Sequence, residues 1–183
     1  MRALPPTGRE PTESLMAIDA IRLLLFPALM AFAASSDLFT MTISNRVSLG
    51  LVGGFFVLAL MMGMSPADLG SHLGAGALVL VVAFACFAFG WIGGGDAKLA
   101  AATALWLGFD HLLVYLFDAA LFGGALTLLM LKFRVTPLPA ILHGQGWAER
   151  LHQKDAGVPY GIALAAAALA VYPDTVWMNA IGA

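Results

Sequence analysis

"GGGDAKLAA", residues 93 to 101, lies between two long apolar runs. Three glycines lead into an aspartate, and a lysine follows two positions later. Crossing a membrane calls for none of this. Glycine loosens a helix, and a carboxylate at membrane depth is costly. The reading of this stretch, as a loop between helices or as a helix that begins inside the membrane, decides how the apolar runs on either side are joined.

The rest of the chain places that question in lipid. Of 183 residues 61% are apolar and 11% charged, and mean hydropathy is +0.89. Soluble domains are about half apolar and about a quarter charged, so an all-α, polytopic integral membrane protein is expected. The net charge of −2 makes nucleic acid a poor partner. The single cysteine, Cys86, lies inside an apolar run and gives neither a disulfide nor a metal knuckle, so no metal or cofactor is expected. A spanning helix needs about 20 mostly apolar residues. Six segments approach this, at roughly 17–38, 47–64, 72–92, 97–110, 111–131 and 159–178. They form one domain over 17–183, after a short polar tail of residues 1–16. "AFAASS" imitates a signal-cleavage site, but the run before it is long enough to span and is read as retained. Only "FDH" separates the fourth segment from the fifth. These two therefore form a tight hairpin, or the fourth starts within the membrane after the glycines.

Cytoplasmic loops carry the Lys and Arg excess. Arg46, Lys132, Arg134, Arg150 and Lys154 fall in the 1–2 and 5–6 connections, and Lys98 follows the third segment. The 1–2, 3–4 and 5–6 connections are expected to face the cytoplasm and both termini to face outward. The largest polar piece is 132–158, where "WAERLHQK" reads as a short surface helix with Trp147 at headgroup level, or as a solvated basic loop.

Two acids then stand out. Asp37 closes the first apolar run and Asp96 opens the fourth, which puts both at the same membrane edge. Ionisable groups there mark functional sites. Two carboxylates brought close cannot both ionise easily, so they hold one proton between them. The charged member can deprotonate a water while the neutral one polarises a carbonyl. The glycines fit this, because non-helical backbone at membrane depth is tolerated only beside protein or a wet cavity. Gly93 and Gly95 let the chain turn tightly and let a peptide approach. Asp96 would meet the positive end of its own helix, and Lys98 adds to that field or snorkels to the interface. The plainer reading is that Asp96 merely caps a helix.

Gly93-x-Gly95-Asp96 resembles the GxGD motif of intramembrane aspartyl proteases. "GGGDAKLAAATALWLG" is similar to the type IV prepilin peptidases, especially the short form of Flp/Tad pilus systems. "SDLFTMTISNRVSLGL" resembles that family's first catalytic segment, with Ser44 where a proline is usual before Asn45. The stretch from Pro137 onward, with Pro159-Tyr160-Gly161, resembles its last loop and helix, less a glycine often found in that helix. The likeness covers most of residues 19 to 178. It implies an endopeptidase of the bacterial inner membrane, with Asp37 and Asp96 catalytic. Gly93, Gly95, Lys98 and Asn45 would bind substrate or support the site. The implied substrate is a prepilin or pseudopilin, cut after a glycine that ends a basic leader at the cytoplasmic face; membrane lipid and a homo-oligomer are further possible partners. The zinc domain of the long, methylating members has no counterpart here, which leaves methylation open.

Other residues receive blander readings. Asp118 is expected to pack through a hydrogen bond, Asp19 to pair with Arg22, and Ser35 and Ser36 to bond backbone in preference to forming a Ser/Lys pair with Lys98. His143 and His152 lack an HExxH frame. Gly50/Gly54 and Gly90/Gly94 read as close helix packing. The competing function is a small transporter or channel subunit, with Asp37, Asp96 and Asp118 along an ion path.

Overall fold

A computed structural model describes residues 10–179; most of the polar tail expected at 1–16 lies outside them. Every element among the described residues is helical: α1 (Glu10–Thr40), α2 (Asn45–Met61), α3 (Pro66–Ala88), α4 (Gly94–Val135), α5 (Gly146–His152), α6 (Tyr160–Val171) and α7 (Val176–Asn179), with single 3-10 turns at Ala140–Leu142 and Tyr172–Asp174. Three helices are long and apolar enough to cross a membrane, Ile18–Thr40 within α1, α3 and α4, while Asn45–Met61 and Tyr160–Asp174 are shorter apolar helices. The chain is a polytopic membrane protein. Its large apolar side chains point outward, including Leu24, Val81, Phe84, Leu113, Phe117 and Leu128. Small ones fill the interior of α4, as at Ala97, Ala100, Ala101, Ala102 and Ala104. Lipid is as apolar as leucine, so helices associate through small residues that let backbones approach.

The helix ends follow local chemistry. Ser65 caps α3 and accepts from the Asp68 N–H, with Pro66 in the first turn. α3 stops at Gly90, whose φ is +75°, with Gly90 N–H donating to the Phe87 carbonyl and Trp91 N–H to that of Cys86. This is the glycine-terminated helix end of the Schellman type. Positive φ therefore sits at Gly90 and at none of Gly93, Gly94 or Gly95. The tight turn expected of the GGG stretch lies just before it.

α4 is where the fold is decided. Gly108 breaks it with φ 64° and ψ −178°, a region essentially restricted to glycine. Tyr115 lies beside Thr103. In a straight helix residues twelve apart would be about 18 Å apart. The chain therefore reverses at Gly108, and the expected hairpin of the fourth and fifth segments is present. The reversal leaves helix-end carbonyls inside the protein, where each needs a donor. His72 Nδ1 meets the Leu105 carbonyl at 2.8 Å, and Trp177 Nε1 donates to that of Trp106 at 2.6 Å. Trp106 in turn donates to Leu51 O at 2.8 Å, and Phe55 packs against His72, Trp106 and Trp177. The last segment, expected as one helix over 159–178, breaks at Tyr172–Asp174 around Pro173, and this is what turns Trp177 inward. A side chain at position 108 would be strained and would press on the His72 ring, 3.2 Å away. Gly108→Ala is expected to cost about 1–3 kcal/mol, read as a lower thermal midpoint in detergent; an unchanged midpoint would contradict the reversal.

Candidate active site

The site is assembled at the end of the bundle where α1 stops and α2, α4 and α6 begin. Asp37 lies in the last turn of α1, the wrong end of its own helix for an anion. It is 5% exposed. Its Oδ2 accepts the Gly161 N–H at 2.7 Å, in the first turn of α6, so a second helix supplies the favourable end. Asp96 stands three residues after the α4 N-cap, Gly93, and its carboxylate accepts the Gly93 N–H. That is the back-reaching half of a capping box. Its other oxygen, Oδ1, is buried with no hydrogen-bond partner. Asp37 and Asp96 lie near enough to act on each other electrostatically. Two carboxylates from different helices thus come within electrostatic reach, each held by the N-terminal turn of a helix.

The connection from α1 to α2 completes the site. Met41 takes φ 55°, rare for a side-chain-bearing residue, with its N–H on the Asp37 carbonyl at 2.8 Å. This turn brings Ile43 against two glycines. A Cβ on Gly95 would stand 3.1 Å from Ile43 Cβ, and one on Gly161 would stand 2.6 Å from Ile43 Cδ1 and 2.8 Å from Asp37 Oδ2. Gly95 therefore serves close approach, not an unusual φ. Ser44, at the proline position, caps α2 and accepts from the Arg46 N–H at 3.3 Å.

Lys98 Nζ donates to Asn45 Oδ1 at 2.9 Å. Two residues on a helix differ by about 200°, so Lys98 faces away from Asp96. Ser35 and Ser36 bond the carbonyls of Ala31 and Thr42, in keeping with a backbone role. Asp19 and Arg22 pair at 3.0 Å. Asp118 is half-buried on α4 and makes no hydrogen bond with a described residue, contrary to the packing role expected of it. His143 meets the Leu138 carbonyl and His152 the Phe133 ring. Among the described residues no group of three His, Cys, Asp or Glu side chains could hold a metal. Gly54 packs against Leu25 and Trp106, and Gly94 against Phe87, as close-packing glycines do. Gly90 instead ends α3.

Residues 146–152 form a short helix, one of the two readings open for this stretch. Trp147 packs edge-on against Phe39 at 5.6 Å. Arg150 Nη1 donates to the Phe39 carbonyl at 2.9 Å, and Arg134 donates to the carbonyls of Leu151 (2.9 Å) and Gly157 (2.7 Å). The loop is thereby held against the end of α1, two residues from Asp37. Gly161 and Ile43 were not singled out in the sequence as site residues. The Pro159-Tyr160-Gly161 opening of α6 was the one signal for the former.

These features define a membrane protein with two carboxylates, Asp37 buried and Asp96 half-buried, at one end of its helices. The sequence model of the type IV leader peptidase family matches residues 24–128, more than half of the chain, which belongs to that family. It is a peptidase, and its family acts on prepilins; the ion-path alternative gives way to this. No curated protein and no solved structure matches the chain.

Proposed function

We propose that the chain is an aspartyl endopeptidase of the short Flp/Tad type, which removes the basic leader of a prepilin at the cytoplasmic face of the inner membrane, with Asp37 and Asp96 as its catalytic pair. What supports this is that the two carboxylates, held at the N-terminal turns of α6 and α4, lie within electrostatic reach of each other. One carboxylate, ionised, takes a proton from water as the oxygen attacks the scissile carbonyl carbon. The other, protonated, donates to the carbonyl oxygen as charge develops there. Collapse of the tetrahedral adduct breaks the C–N bond, and the leaving amine takes a proton from the pair. Gly93 and Gly161 hold the carboxylates in place, and Gly95 admits Ile43 beside them. Lys98 and Asn45 support the neighbouring start of α2.

The cytoplasmic orientation rests on charge. The end that carries the pair also carries Arg46, Lys98, Arg134 and Arg150, whereas Asp68, Asp110 and His72 share a small cleft near the reversal at the other end. Lys and Arg gather on the cytoplasmic side.

Two experiments test the proposal. Incubation of the purified protein with a Flp-type prepilin, followed by N-terminal sequencing, is expected to show one cut after the glycine that ends the leader; no cut, or a cut elsewhere, would refute it. Single cysteines at Gln145 and Ala67, in a Cys86→Ser background, are expected to differ in intact cells. Residue 67 reacts with an impermeant reagent and residue 145 is protected; the reverse pattern would put the pair on the wrong side for a leader.

A further inference from the structure

Behind α4, on the side turned away from Asp96, a cleft of ≈ 490 Å³ opens between α2, α3 and the first half of α4. That volume lies within the range of small-molecule pockets, about 300–1,000 Å³. Its walls are apolar, with Val52, Phe56, Leu73 and Leu80 among them. Its polar groups are Asn45, Ser48 and Lys98, gathered at the first turns of α2 and α4. From Asn45 to Phe56 the cleft follows eleven residues of α2, or about 16 Å, close to the roughly 15 Å of half a hydrocarbon core.

The polar mouth is unbalanced in charge. The one ion pair among the described residues is Asp19–Arg22, so Lys98 has no carboxylate partner. Its only hydrogen bond goes to Asn45 Oδ1. That leaves two Lys98 N–H donors, and it turns the Asn45 side chain so that its NH₂ is also unused. Donors of this kind, a full positive charge among them, beside a slot one monolayer deep match an amphiphile with an anionic head. A substrate helix fits less well: it would have to reach Asp96 from the opposite face of α4.

We propose that this cleft is a binding site for an anionic phospholipid, with an acyl chain between α2 and α3 and the headgroup phosphate on Lys98 Nζ and the Asn45 amide. The site is separate from the carboxylate pair and does not depend on the peptidase reading. Its role is to fill a gap that water cannot, beside the helix that carries Asp96.

The test offers the detergent-purified protein equal amounts of phosphatidylglycerol and phosphatidylcholine and weighs what it retains by native mass spectrometry. One lysine at a membrane surface is worth about a fivefold preference for the anionic lipid. The wild-type protein is expected to show it, Lys98→Arg to keep it, and Lys98→Gln to fall to parity. Ala77 lines the cleft and is exposed, so Ala77→Phe is expected to fill the slot and abolish retention of both lipids, with helix content unchanged. Equal retention of the two lipids by the wild-type protein, or a preference that survives Lys98→Gln, would overturn the proposal. So would displacement of the lipid by an equimolar prepilin, which would give the cleft to the substrate.

Discussion

Asp37→Asn and Asp96→Asn are each expected to slow leader cleavage by about 10²–10⁴-fold, the range for losing a positioned acid or base, while the protein still inserts and folds. The fold survives because the amide oxygen of asparagine can still accept the bond that anchors each carboxylate, from Gly161 N–H at position 37 and from Gly93 N–H at position 96. The volume is almost unchanged. The variants lose the ability to take a proton from water and return it to the leaving amine. The two losses do not add. A pair that works as one unit is disabled by removing either member, so the double variant is expected to be no slower than the worse single one. Cleavage rates at matched amounts of folded, monodisperse protein decide this. A variant at the wild-type rate would remove that residue from the mechanism.

Gly161→Ala is expected to cost nearly as much while touching neither carboxylate. The added carbon would stand 2.8 Å from Asp37 Oδ2 and 3.2 Å from Asp37 Cβ, with Ile43 closing the other side at 2.6 Å. The carboxylate must therefore move or give up its bond to the start of α6. Misplacement by about 1 Å can cost on the order of a hundredfold in rate. Gly53→Ala is the control: a methyl there meets nothing within 4 Å, on an exposed face of α2, and the rate is expected to stay at the wild-type value. Equal rates for the Gly161 and Gly53 variants would mean that the contact between α6 and Asp37 is only packing.

What could be read beforehand was what neighbouring residues decide. The apolar runs gave the helices, whereas the caps at Ser44 and Ser65 were not among the expectations and Gly90 was assigned to packing, although all three are set by a few adjacent residues. The hairpin was legible from the brevity of "FDH". That Gly108 makes the break was not, since the crowding that a side chain there would meet comes from His72, 36 positions upstream. α1 begins at Glu10, earlier than the polar tail suggested, because a helix need not stop where the membrane does. The glycines at 93 to 95 are expected from the sequence to give a tight turn and room for a peptide. Close approach to Ile43 is the reason at Gly95, and no local pattern reports which side chain will arrive there. The same limit hid the bond from Gly161 to Asp37, which joins residues 124 apart.

The arginines that pin the 132–158 loop end on backbone carbonyls of Phe39, Leu151 and Gly157. A surface ion pair weakens as salt screens both charges over a Debye length of about 8–10 Å at moderate ionic strength. A guanidinium on a carbonyl has no partner charge to screen and relies on short-range hydrogen-bond geometry. The clasp beside Asp37 is therefore largely indifferent to ionic strength, and a cell that shifts its osmotic balance leaves the mouth of the site in the same shape.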